Sequence, residues 1–428
     1  MELERASEGS NSRVLLGAEK VVTPLLWQRW EKELEEHSDR EWVEFLIRGI
    51  KYGFRLGHNQ SKVAMEERGG SMYEATQHRE IISKYLEEEV RKERVWRVEQ
   101  AIEGVQCSPF GVIPKKGRPG RWRLIVNLSA PEGHSMNDGI DRVLSSVAYM
   151  SVDDVIRRVL RLGKGALIAK ADVKAAYRNI PVHPRDRWLL GMRWEGETYV
   201  DGTLPFELRS APLLFTAVGD AIEGIATQKG AKWLRRYIDD FVSVGQKGTN
   251  DCAEAMTIFK ETCQLLGVPL NENKEEGPSK VLTFLGLKID TVKMEVRLPQ
   301  GKLEEMRSIL KRWRGMRSCR RRDLESIVGS LNHACRAVRP GRAFKRRLQD
   351  LMTTVVRDGR RLRLNLEARA DIEWWYQFGL EWNGTSLMRA VVTDEDLQEV
   401  MLSDASGSWG CRATLKGKWF RIKWIEAT

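Results

Sequence analysis

The sequence predicts an α+β protein in which helical segments flank a middle region rich in strands. Apolar residues recur at every third or fourth position in residues 27–50 and again in residues 303–331, as they do in amphipathic helices. Between residues 107 and 244, short apolar runs separated by turn residues replace that spacing and predict strands. Helices and strands that occupy separate stretches of a chain are typical of α+β folds.

The composition is that of a basic, globular protein of two or three domains. The chain has 428 residues, of which 42% are hydrophobic and 31% charged, and these values exclude a largely disordered or collagen-like protein. Lys and Arg total 71 against 60 Asp and Glu, which gives a net charge of +11. This balance permits nucleic acid as a partner without proving it.

The sequence predicts an intracellular protein, cytoplasmic or nuclear, that neither enters a membrane nor is secreted. No uncharged stretch reaches the roughly 18 residues that a membrane-spanning helix needs. Acidic residues stand near the N-terminus, where a signal peptide requires a basic start and an apolar core. The six cysteines form no Cys-x-x-Cys pair, so we expect free thiols rather than disulfides or a zinc site.

The N-terminal region is predicted to be helical after a loose tail over residues 1–20. One helical pattern covers residues 23–55 and a second covers residues 73–97. Two strands follow at residues 110–114 and 122–128, joined by a turn rich in Lys, Arg, Gly and Pro. The bases of this turn fit two interpretations, a solvated loop that protects a sheet edge or a grip for phosphate groups.

Apolar strands further along the chain lead to acidic residues. Residues 166–171 run into Asp172, with a helix predicted after it, and residues 233–244 form two short strands around Asp239 and Asp240. An Asp pair at a hairpin tip is commonly a turn former. Apolar flanks without Gly or Pro nevertheless make clustered carboxylates costly unless a cation neutralises them. Three oxygen donors without His or Cys favour magnesium over zinc, although spacing alone does not show that they meet.

The segment from residue 297 to 350 is strongly basic and has helical spacing. Its charges fit either a solvated helix face or a clamp on a phosphate backbone, and charge of one sign on two amphipathic helices favours the clamp. The candidate nucleic-acid contacts in this segment are Arg320, Arg321, Arg322, Arg346 and Arg347.

Several motifs together resemble one family. Tyr237-Ile238-Asp239-Asp240 is similar to the Tyr-x-Asp-Asp box of reverse transcriptases. Five further motifs stand in that family's order, at residues 108–116 with 122–124, 172–177, 204–206 with 210–215, 273–274 and 284–287. The N-terminal helical region, residues 127–129 and residues 340–342 are similar to those of DIRS-like or gypsy-like retrotransposons.

The resemblance implies a right-hand polymerase that acts as an RNA-directed DNA polymerase of a retroelement. It implies a tail and helical extension in residues 1–72, fingers and palm in 73–296, thumb and connection helices in 297–392, and an incomplete ribonuclease H-like α/β segment in 393–428. The implied cofactor is a pair of Mg²⁺ ions, for which Mn²⁺ can substitute. The implied partners are an RNA–DNA or DNA–DNA primer–template, dNTPs and other retroelement proteins.

The resemblance also implies roles for single residues. Asp172, Asp239 and the backbone carbonyl of Val173 would hold the two ions, with Asp240 the weaker ligand because neighbours on a strand point to opposite faces. Lys274 would be the general acid for pyrophosphate. The implied dNTP contacts are Lys115 and Arg123 on the triphosphate, Tyr177 as the gate that excludes a 2′-hydroxyl, Phe206 in the nucleotide motif and Ile238 at the primer end. The alternatives are a core role for Tyr177 and a plain strand position for Ile238.

Two departures from the family's pattern leave other interpretations open. Glu207 stands where the family usually has Gly, which places a Cβ where the turn favours a glycine conformation. Asn127 stands where the family often has Asp. A second hypothesis is therefore a decayed copy that binds nucleic acid without extending it. A third is an enzyme of another class, such as a nuclease, that uses Asp172 and Asp239.

Residues 400–424 resemble the opening strands of a ribonuclease H domain. In that comparison Asp404 would be a metal ligand, and its alternative is a turn former at a strand end. Only Glu426 follows it as a further acid. Because two ions cannot be held by one or two carboxylates, we expect this chain by itself to lack ribonuclease H activity.

Overall fold

The computed structural model describes residues 20–59, 78–98, 105–114, 120, 122–353, 361–388, 402–406, 410–415 and 418–424. The helices of this part of the chain are α1 Trp27–Glu33, α2 Arg40–Tyr52, α3 Arg79–Arg91, α4 Val152–Leu162, α5 Ala211–Gln228, α6 Asp251–Leu266, α7 Gln300–Arg314, α8 Arg321–Ala334, α9 Ala343–Thr353 and α10 Leu366–Glu381. The first nine strands are β1 Val95–Val98, β2 Phe110–Pro114, β3 Trp122–Val126, β4 Leu167–Asp172, β5 Gly191–Trp194, β6 Glu197–Asp201, β7 Leu234–Tyr237, β8 Asp240–Gly245 and β9 Glu276–Ser279. The other nine are β10 Val281–Phe284, β11 Leu287–Asp290, β12 Glu295–Arg297, β13 Ser318–Cys319, β14 Leu362–Arg363, β15 Thr385–Leu387, β16 Leu402–Ala405, β17 Gly410–Leu415 and β18 Lys418–Lys423.

A four-stranded antiparallel sheet, in the order β7-β8-β4-β9, forms the centre of the fold. Side chains alternate between its two faces, so Phe241 joins the core that α5 and α6 share, whereas Val242 and Val244 join the opposite core. Helix α4 and strand β10 contribute to that second core. Burial on both faces explains why β4 and β8 read as nearly continuous apolar runs in the sequence.

The N-terminal helical pattern is divided into two helices rather than one. The break precedes α2, where the Asp39 carboxylate accepts a hydrogen bond from the backbone N–H of Trp42 at 2.9 Å and caps the helix. Helix α1 docks on α6 through Trp30, which is fully buried and donates its indole N–H to the Leu266 carbonyl oxygen at 2.9 Å. The apolar spacing thus found both helices but not the cap between them.

The predicted second helix is wrong in its last part. Helix α3 ends at Arg91, and Val95–Val98 instead forms β1, which pairs with β6 in the three-stranded sheet β1-β6-β5. Residues 73–77, the predicted start, lie outside the described residues. The four residues of β1 show no two-residue alternation, so the helical run before them concealed the strand.

The predicted hairpin is confirmed as β2 paired with β3, from Phe110 opposite Val126 to Pro114 opposite Trp122. The hairpin packs with α3 and β5 around a small core that includes Ile82, Leu86 and Trp194. The cationic turn, with Lys115, lies outside the described residues, apart from Gly120.

Helices α7 to α10 lie along the chain between strands β12 and β15 of the sheet β10-β11-β12-β15. The apolar spacing predicted for the basic segment is confirmed, because Ile309 is half-buried and the other apolar positions of α7 and α8 are buried: Leu303, Met306, Leu310, Trp313, Leu324, Ile327, Val328 and Leu331. Most of the charged positions between them are exposed, which leaves both interpretations of their charge open, whereas Arg307 is half-buried and donates to the Gly379 and Trp382 carbonyl oxygens.

The last described strands, β16, β17 and β18, form a three-stranded antiparallel sheet, as the sequence predicted for residues 400–424. Trp419 is 75% exposed and Phe420 51% exposed on this sheet.

All six cysteines are free thiols, as expected, and five of them are buried. Among the helices that the structure describes, none has both the length and the apolar character needed to cross a membrane.

Candidate active site

Three carboxylates meet at one end of the central sheet. Asp172 is the last residue of β4 and lies directly opposite Asp240, the first residue of β8. Asp239 occupies the two-residue turn that joins β7 to β8. One oxygen atom from each of the three lies within 4.8 Å of the others, with Asp172 buried and the other two half-buried. The spacing along the chain could not show this convergence, which follows from the antiparallel pairing of β4 with β8.

Asp240 contributes to the cluster, although the alternation of side chains along a strand made it the weaker of the predicted ligands. Neighbouring side chains alternate only along an extended strand, and Asp239 belongs to the turn, so the alternation rule does not relate it to Asp240.

The turn itself holds an unusual backbone conformation. Ile238 has φ +55°, a left-handed value that a β-branched residue rarely adopts. The backbone around it is held on both sides: the N–H of Val173 donates to the Asp239 carbonyl oxygen at 3.0 Å, and the buried Arg236 donates to the Ile238 carbonyl oxygen at 3.3 Å. Strain of this kind persists only where the surroundings fix the chain, and it is common at functional sites.

The cluster has the electrostatics of a cation site. Burial raises the pKa of the Asp239 carboxyl, and the neighbouring Asp172 raises it further. Burial also raises the pKa of Asp240, to about 6, with added repulsion from Asp239 and Asp172. Three carboxylates that disfavour one another's charge are stabilised by a divalent cation, and hard oxygen donors suit magnesium or manganese. The residues present therefore fit a metal ion.

Lys274 supplies the nearest positive charge. Its Nζ lies 2.9 Å from both carboxylate oxygens of Asp172, and the amide of Asn271 donates to the same carboxylate at 3.3 Å. A backbone pairing between Val173 and Leu270 brings this segment to the end of β4. The sequence therefore placed Lys274 near the carboxylates correctly, although its chemical role stays a prediction.

A cavity of about 1390 Å³ opens beside the carboxylates. Tyr177 lies in its wall and packs edge to face with Phe206 at 5.6 Å and Phe215 at 5.7 Å between ring centroids. The exposed Arg123 reaches over Phe206, with 5.8 Å between guanidinium and ring centroid. These side chains come from strand β3, the turn after Asp172 and the 204–207 segment, so the fold brings together the predicted dNTP contacts that it describes.

The predicted helix after Asp172 is a short 3-10 helix, Ala176–Asn179. Its tighter turn follows Ala175, which has φ +55°, and still directs Tyr177 into the cavity. Burial raises the pKa of the Tyr177 hydroxyl to about 12, so the ring is neutral at ordinary pH. Tyr177 is half-buried, between the core role and the gate role that the sequence left open.

The two departures from the expected pattern are accommodated. Glu207 has φ +71°, the conformation for which glycine is favoured, and its carbonyl oxygen accepts a hydrogen bond from the Asn137 amide at 2.9 Å. Holding a residue with a Cβ there costs about 1–2 kcal/mol, yet the turn is formed. The Asn127 side chain accepts the backbone N–H of Ser129 at 3.2 Å. Neither residue belongs to the carboxylate cluster.

The five selected arginines differ in their surroundings. Arg320 precedes α8, and Arg321 and Arg322 begin it, where positive charge opposes the helix dipole. Two of the five are ion-paired, Arg321 with Glu325 and Arg347 with Asp371. Arg320, Arg322 and Arg346 are exposed, and no salt bridge holds them within the described chain.

A buried charge network behind Tyr177 was not foreseen. Arg178 lies almost wholly buried and donates to Glu89 of α3 at 2.9 Å and to Asp201 of β6 at 2.5 Å. It joins α3, β6 and the turn that carries Tyr177. No sequence signal marks it, because a buried arginine and an exposed one look alike in a sequence.

Asp404, the other predicted metal ligand, lies on β16 and is 75% exposed. Its nearest opposite charge is Arg412 of β17, at 3.7 Å. Within the described residues, the acidic group with metal-binding geometry is the one formed by Asp172, Asp239 and Asp240.

Residues 113–289 match the family model described as reverse transcriptase (RNA-dependent DNA polymerase). The Pro-Pol polyprotein of feline foamy virus is 24% identical over 189 residues, which are 44% of this chain and 15% of that protein. The corresponding polyprotein of simian foamy virus type 1 is 23% identical over 219 residues, covering 47% of this chain and 17% of that protein. The chain thus matches about a sixth of the length of these curated relatives.

Solved structures of the foamy viral protease-reverse transcriptase are similar in fold. One, in complex with double-stranded DNA, has a TM-score of 0.56 at 17% identity and covers 93% of this chain and 68% of that chain. Another, in complex with an RNA/DNA hybrid, has a TM-score of 0.54 at 16% identity and covers 95% of this chain and 53% of that chain. The fold is therefore that of a right-hand polymerase, as the sequence predicted.

Proposed function

We propose that the chain is an RNA-directed DNA polymerase of a retroelement, starting from the reverse transcriptase domain that residues 113–289 form. The observation that carries the proposal is the cluster of Asp172, Asp239 and Asp240 at the mouth of a cavity large enough for a nucleoside triphosphate. The proposed partners are dNTPs and an RNA or DNA template with its primer.

In this proposal the carboxylates hold a pair of divalent ions, Mg²⁺ or Mn²⁺. When bound, the two ions activate the primer 3′-hydroxyl and neutralise the triphosphate and the leaving pyrophosphate. Asp172, Asp239 and Asp240 would supply carboxylate oxygens to hold the ions, and the Val173 carbonyl would be a further oxygen donor. Because in-line displacement depends on positioning and charge neutralisation, the residues need not form a covalent bond to substrate.

Different residues of the cavity wall would contact different parts of the nucleotide. Arg123, and Lys115 on the same hairpin, would contact the triphosphate, since guanidinium and ammonium groups bind phosphate oxygens. Ile238, in the turn beside Asp239, would contact the primer end or the nucleotide. Lys274, which lies beside Asp172, would donate a proton to pyrophosphate as it leaves.

Primer extension on an RNA template with Mg²⁺ tests this function. The expected result is a DNA product whose length follows the template. A second candidate, a decayed copy that only binds nucleic acid, is favoured by the strained Glu207. That candidate predicts hybrid binding without extension, and it also predicts that Glu207→Gly restores extension.

Tyr177→Ala should relax the choice between deoxyribonucleotides and ribonucleotides. Removing the ring that packs on Phe206 and Phe215 opens space where a 2′-hydroxyl would stand. We expect the preference for dNTPs, measured as a ratio of kcat/KM values, to fall roughly ten- to hundredfold. Tyr177→Phe is the matched control, because it keeps the ring and should keep the preference. Unchanged rejection of ribonucleotides by Tyr177→Ala would place the gate elsewhere.

Neutralising Arg320, Arg322 and Arg346 together should weaken hybrid binding without sequence preference. Each phosphate contact that is lost should reduce the slope of log K against log salt by about 0.7–0.9. Arg321→Gln is the control on the same helix, because Glu325 already neutralises Arg321. A triple variant with the wild-type salt slope would show that these arginines only solvate their helices.

A further inference from the structure

A second cavity, of about 340 Å³, is separate from the cavity beside the carboxylates. It is formed by α4, the residues just before it and the edge strand β7. Four arginines line it, together with Trp233 and Tyr149: Arg157, Arg158, Arg161 and Arg235. None of its lining residues lines the larger cavity beside the carboxylates. We call it the arginine pocket.

The positive charge of the arginine pocket is only partly compensated. Asp154 pairs with Arg157, and Glu223 of α5 pairs with Arg235 at 3.1 Å. Arg158 and Arg161 form no salt bridge within the described chain. The Asp251 carboxylate interacts electrostatically with Arg158, but it already accepts a hydrogen bond from Lys232 at 2.7 Å.

One donor in the pocket is buried without a partner. The Nε of Arg158 is enclosed and has no hydrogen-bond acceptor among the described atoms. Leaving such a donor unsatisfied costs about 1–3 kcal/mol, and more for a charged group. An anion that enters the pocket would neutralise the two guanidinium groups that form no salt bridge, because their terminal nitrogens bind phosphate well through their planar fork.

The pocket also offers an aromatic face. The Arg158 guanidinium lies 6.0 Å from the centroid of the half-buried Trp233 ring, and the Tyr149 side chain adds a second aromatic wall. Stacking of a base on such a ring contributes about 1–3 kcal/mol and tolerates any base. Guanidinium groups beside an indole, in a cavity of nucleotide size, match a phosphate joined to a base rather than a bare inorganic anion.

We propose that the arginine pocket binds a nucleotide unit, with its phosphate on Arg158 and Arg161 and its base on Trp233. The unit can belong to an unpaired stretch of a nucleic-acid strand or to a free nucleotide, which share this chemistry. Trp233 precedes Asp239 by six residues, about 20 Å of extended chain, so the occupant differs from the substrate at the carboxylates. Tyr149, whose ring lies 5.4 Å from that of Tyr237, connects the pocket to the catalytic hairpin.

Photocrosslinking locates the occupant directly. A single-stranded oligonucleotide that carries 5-iodouracil is irradiated with the full chain bearing Asp239→Asn, so that the result does not depend on polymerase activity. We expect a crosslinked peptide that contains Trp233, and we expect Arg158→Gln with Arg161→Gln to reduce its yield at least about tenfold. Arg161→Gln alone, an exposed change that does not disturb the fold, should reduce it in the same direction.

The control removes the same number of charges elsewhere. Arg29→Gln with Arg48→Gln, on the exposed faces of α1 and α2, should leave the Trp233 crosslink unchanged. Competition by a nucleoside monophosphate would assign the site to free nucleotides as well, and crosslinking that resists it would assign the site to a strand. Crosslinks confined to other peptides, or an equal loss in the control, would overturn the proposal.

Discussion

Asp239→Asn will reduce primer extension by at least about a thousandfold while it leaves binding of the primer–template hybrid nearly intact. Asp239 contributes a carboxylate to a cluster whose oxygens lie within 4.8 Å, so the amide removes a negative charge from both proposed ion positions. Loss of several kcal/mol of transition-state stabilisation corresponds to this effect, since each 1.36 kcal/mol is tenfold in rate. Single-turnover extension and hybrid affinity, measured on the same preparation, check both halves of the result.

Asp251→Asn is the matched control for this variant. Asp251 lies at the start of α6, where it pairs with Lys232 and has no contact with the carboxylate cluster. It should extend primers at the wild-type rate. Extension by Asp239→Asn at a similar rate would show that Asp239 is not catalytic. It would favour the interpretation of the acidic pair as a turn former.

Arg178→Met will lower the free energy of unfolding by about 3–5 kcal/mol, because removing one partner of a buried ion pair leaves uncompensated charge. Glu89 and Asp201 are both buried and both accept hydrogen bonds from the Arg178 guanidinium. Without it, Asp201 would stay buried without its cationic partner, whereas Glu89 would keep Lys92 at 3.1 Å. Urea denaturation, read as a shift in midpoint at constant slope, measures the loss.

Two further variants test whether the loss of stability comes from the buried charge network or only from the removal of an arginine side chain. Arg193→Met removes an exposed arginine from the adjacent strand β5 and should change stability by no more than about 0.5 kcal/mol. Adding Glu89→Gln and Asp201→Asn to Arg178→Met neutralises the stranded charges and should recover part of the loss. A loss below about 1 kcal/mol in Arg178→Met would mean that water already compensates the two carboxylates.

The fold could be predicted where a periodic apolar pattern coincided with one element. The spacing in α7, α8 and the hairpin β2–β3 marked those elements because each has one buried face. Prediction failed at junctions: the helical run through α3 concealed the switch to β1 at Val95, and the cap at Asp39 lay within an unbroken apolar pattern. A local apolar pattern shows which face of a helix or strand is buried. It does not show where the chain leaves a helix to pair with a strand from a distant segment.

The sequence predicted which residues form the candidate site, but not how they are arranged in space. The order of the motifs selected Asp172, Asp239 and Tyr177, and the residue types at these positions indicate their chemistry. Asp240 was selected as the weaker of the metal ligands, because its orientation depends on a turn whose positive φ at Ile238 leaves no mark in the sequence. Arg178 and the arginine pocket were missed because their partners come from distant segments that only the folded chain brings together.

The docking of α1 on α6 has a consequence for the order in which the chain is made. Trp30 and the carbonyl oxygen that it binds are 236 residues apart, so a ribosome working at roughly 5–20 residues per second emits α1 roughly 10–50 seconds before Leu266. Helices of seven and 13 residues are not stable alone during that interval. The nascent chain therefore carries an exposed tryptophan-rich segment until α6 has been made, and this segment is a candidate for shielding by a chaperone.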